Sequence, residues 1–190
     1  MEWFFGWWDK LVQSVFWQSL TSNFQWVDWF TLIFLLAGIV YGLKNGVMAE
    51  IGEIIEIMIV IFVVHTYFER VSTVLLNYAP PFLKEYYKPA SYIILGVFTW
   101  VIIGTMVRIL KKLVHTQTAP LLRYAGGMVL GGLHLLIIWS FISQAILLFN
   151  LPTANKVYHE GGSYSGYFIS QIAPDIYKMF ARPAGLLNPK

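Results

Sequence analysis

Glu50, Glu53 and Glu56 stand three residues apart inside the otherwise apolar run VMAEIGEIIEIMIVIFVV, residues 47–64. At about 100° per residue they climb one side of a helix within an arc of about 120°. Carboxylates are costly in hydrocarbon, so an ionisable group at membrane depth marks a candidate polar site. The chemistry open to such a face is ion pairing, proton or cation handling, or hydrogen-bonded packing by protonated acids. His134 and Arg108 are the basic candidates for partners.

Rise per residue ranks these groups by depth. Counted from the side shared by Gly46 and Gly126, Glu53 lies about 10 Å in, His134 about 12 Å and Glu56 about 15 Å. Arg108 matches Glu50 instead. The expectation is that Glu50 pairs with Arg108 or Lys44 near the interface, while Glu53 or Glu56 faces His134 inside a bundle. His134 has no second histidine three or four residues away, and no carboxylate–histidine metal spacing runs along one helix. No metal, cofactor or catalytic group is therefore expected, and no GxSxG element supports a hydrolase.

A second pattern is glycine. Gly38, Gly42 and Gly46 recur every four residues, and Gly127 and Gly131 form a GxxxG pair with Gly126 and Gly132 alongside. Such faces let helix backbones approach closely in a membrane. Two of them in a small chain predict a homo-oligomer or a larger membrane complex, besides contact with the lipid bilayer.

The elements that carry these groups follow from composition. The chain has 190 residues, 57% hydrophobic and 12% charged, with a mean hydropathy of +0.62. A soluble domain carries roughly twice that charge, so the reading is an all-α integral membrane protein. The net charge of +3 is dispersed, which excludes a nucleic-acid surface, and the lack of cysteine excludes disulfides and thiolate metal sites. The N-terminus lacks the basic region of a secretory signal.

Residues 1–23 read as a tryptophan-rich amphipathic segment lying in the interface. Residues 24–150 read as a domain of four transmembrane helices. The expected spans are Trp26 to Leu43, Val47 to Val64, Ala90 to Leu110 and Gly126 to Phe149. Residues 65–90 read as a connection with a short helix from Phe68 to Tyr78, and 113–125 as an interfacial linker broken by Pro120. Residues 151–190 read as an amphipathic interfacial tail, with Phe168, Ile172, Ile176 and Phe180 on one face and a kink or restart near Pro174. Basic residues divide five against five between the two sides, and the acid-free cluster around 111–125 tips that linker to the cytoplasm.

Asp28 opening the first span, then Gly42, Gly46 and Glu50, then the run LLRYAGGMVLGGL with Arg123 and Gly126, resemble the colicin V production protein (CvpA) family of bacterial inner-membrane proteins. The resemblance covers roughly residues 24 to 150. The aspartate-preceding asparagine is displaced to Asn23, His134 stands where relatives often carry a basic residue, and Glu53 and Glu56 lie outside the family pattern. The resemblance implies a multi-pass inner-membrane protein of envelope homeostasis and toxin production. Some members fuse the spans to an exported-side protease, which implies periplasmic termini. Two functional classes remain: a non-enzymatic assembly or accessory subunit, or alternatively a channel or transporter subunit with a polar path lined by Glu50, Glu53, Glu56 and His134.

Overall fold

A computed structural model describes residues 24–78, 80, 86–113, 120–159 and 162–183, excepting the side chains of 110–113 and 120–122. The expected N-terminal interfacial segment and residues 114–119 of the linker lie outside the described residues. The described chain is helical throughout, without strands. In chain order the helices are α1 (Trp26–Asn45), α2 (Val47–Tyr78), α3 (Tyr87–Leu113), α4 (Pro120–Leu148), α5 (Pro152–Tyr158) and α6 (Gly166–Ala181).

Three of these helices are long and apolar enough to cross a membrane: α1, the Tyr87–Ile109 part of α3 and the Arg123–Leu148 part of α4. Their lengths exceed the sequence expectation at several ends. Pro120 does not break a linker but opens α4, at a position where a helix needs no amide hydrogen. Helix α2 also runs without interruption through Phe68 to Tyr78, so the separate short helix expected there is the last third of α2.

Between α1 and α2 the chain reverses at Gly46, whose φ of 80° and ψ of 168° suit only glycine. The reversal sets α1 against α4 along the two glycine faces. A Cβ on Gly38 would lie 2.9 Å from Gly132 Cα, one on Gly42 would lie 3.0 Å from Gly131 Cα, and one on Gly127 would lie 3.1 Å from Gly46 Cα. Each face thus consumes the other within one chain. The α1 and α4 glycine faces therefore account for one intramolecular contact.

Above the glycine seam, α1 and α4 exchange aromatic contacts. Trp139 stacks on Phe30 and Phe34 with ring centroids 5.3 and 5.0 Å apart. It also donates its indole hydrogen to Thr31 Oγ1 at 3.0 Å. Val27, Trp139, Ala154, Val157, Tyr158 and Ile169 close one core, and Ile57, Val60, Ile61, Val64, Tyr92, Ile137 and Ala173 form the other. Tyr158 donates to Ser143 Oγ at 3.0 Å, and burial pushes its phenol up from the ordinary value, so it remains a donor.

Helix α6 reaches both cores. Ile169 is buried in the first and Ala173 in the second. It also continues through Pro174 rather than restarting there. Proline cannot donate to the carbonyl four residues earlier, which is that of Ser170. The Gln144 side chain of α4 supplies the missing donor to Ser170 O, and Ser140 Oγ accepts the Ala173 amide at 2.9 Å. A helix broken by its own sequence is completed by its neighbour.

This division of labour has a testable consequence. Gln144→Leu should destabilise the chain by about 1–3 kcal/mol, the cost of a buried carbonyl left without a donor. Pro174→Ala restores the amide and should remove most of that cost in the double variant. Thermal unfolding of the four proteins in detergent checks it, and simple additivity would contradict the assigned role of Gln144.

Candidate functional site

The polar site forms where α2 passes α4. Glu50 and Glu53 occupy successive turns near the start of α2, on the side turned to α4. His134 follows the glycine pair 131–132, on the stretch where α4 packs against α1. From there its Nδ1 lies 3.3 Å from Glu50 Oε2 and 3.3 Å from Glu53 Oε2. Glu50 is fully buried, His134 is 7% exposed and the Glu53 side chain is 18% exposed, so the two carboxylates and the imidazole meet largely inside the bundle.

The structure agrees with the depth count on one pair and corrects it on the other. Glu53 and His134 are together. Glu50 meets His134 as well, whereas Arg108 turns back on its own helix, its Nε donating to Gly104 O at 3.0 Å and its Nη2 to Thr105 Oγ1 at 3.2 Å. Lys44 is exposed at the end of α1. Depth fixes height along the bundle but not azimuth, and Glu50 points towards α4 rather than α3.

Glu56 stands apart from this cluster. Its carboxylate lies against Gly104 of α3, where an added Cβ would sit 2.6 Å from Oε1. Gly104 therefore makes the room in which Glu56 is buried. A glycine inside the apolar run of the third span is a sign of close approach, without indicating to what.

A second carboxylate site escaped the sequence reading almost entirely. Asp28, which opens the first span, is only 5% exposed. Its Oδ2 accepts the Gln25 amide at 2.8 Å, capping α1. Its Oδ1 accepts the amide and the hydroxyl of Ser165 at 2.7 and 2.6 Å, at the start of α6. One carboxylate thus satisfies the amino ends of two helices, where its charge also complements the positive ends of their dipoles. Asp28 and Ser165 are 137 residues apart, and no spacing rule links them.

A helical bundle with three span-grade helices, glycine seams and carboxylates turned inward defines an α-helical membrane protein. The chain belongs to the colicin V production protein family, whose model matches residues 27–173. The match runs beyond α4 and into α6, in keeping with the Asp28–Ser165 clamp that ties the two ends of this region together. No curated protein and no solved structure matches the chain.

Proposed function

We propose that this is a non-enzymatic, four-span protein of the bacterial inner membrane, serving envelope homeostasis and toxin production as an assembly or accessory subunit. The observation that carries the reading is the inward turn of Glu50 and Glu53 onto His134, which removes the main objection to placing α2 in the bilayer. At 1.5 Å per residue α2 is about 48 Å long, against a hydrocarbon core of about 30 Å. It can therefore span and still project its Glu69–Tyr78 end beyond the membrane. Glu56 meets Gly104 while His65 and Phe68 meet Tyr92, so α2 runs antiparallel to α3, as consecutive spans do.

The outer surface supports the assembly reading over the transport one. Large apolar side chains such as Phe98, Trp100, Met106 and Val129 face outward, while the glutamates turn in. The cavity along α2, about 440 Å³ and lined by Ile55, Met58, Ile59, Phe62 and Phe180, is apolar. It suits an acyl chain better than a hydrated solute. The second reading, a channel or transporter subunit, draws on the same Glu50–Glu53–His134 cluster, and flux across liposomes carrying the purified protein separates the two.

Topology is tested first. The chain has no cysteine, so single cysteines report their side directly. Gln117→Cys is expected to label from the cytoplasm, Ala79→Cys and the exposed Tyr164→Cys from the periplasm. Labelling of Gln117→Cys and Tyr164→Cys from one side would overturn the four-span arrangement.

A further inference from the structure

We propose that Glu50, Glu53 and His134 bind a divalent transition-metal ion, with Zn²⁺ as the representative ligand. One ligand atom from each side chain lies within 4.8 Å of the other two. The proposal shares the inward placement of these side chains with the fourth-span reading and otherwise stands apart from it.

The distances favour an ion over hydrogen bonding alone. Imidazole Nδ1 carries at most one hydrogen, yet two carboxylate oxygens converge on it at 3.3 Å each. A charge-assisted N–H···O bond runs at about 2.7–2.9 Å, shorter than either. Two ligand atoms held at about 2.0–2.2 Å from a tetrahedral zinc are themselves about 3.3–3.5 Å apart. The two observed N···O separations match two edges of such a tetrahedron, and the two carboxylate oxygens lie within 4.8 Å of each other.

The donor set narrows the ion. Imidazole nitrogen with carboxylate oxygen suits zinc and its first-row neighbours, whereas calcium and magnesium favour oxygen throughout. Two carboxylates balance the charge of a divalent ion, which a buried site demands. Three protein ligands leave a fourth position for water or an incoming group. Glu50 and Glu53 sit one turn apart on α2, and His134 is held on α4 beside the glycine seam, so the ligands come from two packed helices. Ligand spacing along a single helix therefore carries no sign of this site.

The experiment uses the full chain, purified in detergent, stripped with EDTA and titrated with ZnCl₂. The expected result is one Zn²⁺ per chain, with a rise in thermal midpoint of the unsubstituted protein. Glu53→Gln and His134→Asn should each weaken Zn²⁺ at least about 100-fold, while His159→Asn, at an exposed histidine, leaves it unchanged. Absence of saturable Zn²⁺ binding and of any midpoint shift in the unsubstituted chain overturns the proposal without reference to a variant's folding. Undiminished binding in His134→Asn, or its loss in His159→Asn, overturns it too. The cysteine-labelling result decides the four-span reading independently of the zinc titration.

Discussion

Replacing Gly42 by isoleucine is expected to leave no folded bundle. A Cβ at this position would fall well inside van der Waals contact with the Gly127 carbonyl and 3.0 Å from Gly131 Cα. Both obstacles are backbone, so no rotamer change can absorb them, and α1 and α4 must separate. Overpacking a core costs about 1–3 kcal/mol where side chains can yield, and more where they cannot. Against a total stability of about 5–15 kcal/mol, Gly42→Ala should take at least about 3 kcal/mol and Gly42→Ile most of what remains. Gly132 supplies the control on the same seam. A Cβ there would meet only side-chain atoms, Leu35 Cδ1 at 3.3 Å and Ile39 Cγ1 at 3.6 Å, so Gly132→Ala should cost less than about 1 kcal/mol. Thermal unfolding and monodispersity in detergent check the series. Equal losses at Gly42 and Gly132 would show that the seam is not where the helices are held.

The glycine seam was legible in the sequence because spacing alone defines a helical face, and small residues mark helix contacts in lipid. The inward glutamates were legible for the complementary reason, that a carboxylate has few tolerable places in hydrocarbon. Apolar residues carried much less information. Phe168, Ile172, Ile176 and Phe180 read as the apolar face of an interfacial helix, but Ile172 and Ile176 pack against the bundle core while Phe168 is 63% exposed. Proline signals also misled, since Pro174 reads as a break until Gln144, on another helix, is seen to supply the donor. Partnerships such as Asp28 with Ser165, or Glu50 with His134, depend on azimuth and on chain order in space. Neither is encoded in local spacing.

Removing His134 is the second change expected to have a large effect. Glu50 is fully buried, and His134 is the side chain on α4 that its Oε2 approaches. Truncating one member of a buried ionisable pair strands the other and costs about 3–5 kcal/mol. His134→Gln keeps a polar group of similar reach and should cost less than His134→Ala. Glu50→Gln probes the same contact from α2. The two helices meet here through three titratable groups, so a single substitution mixes lost contacts with altered burial. A double-mutant cycle removes that ambiguity. The direct measurement is the thermal stability of the parent chain, Glu50→Gln, His134→Gln and the double variant in one detergent. The inward site predicts a coupling of at least about 1 kcal/mol between the two positions, whereas losses that add to within about 0.5 kcal/mol would contradict it.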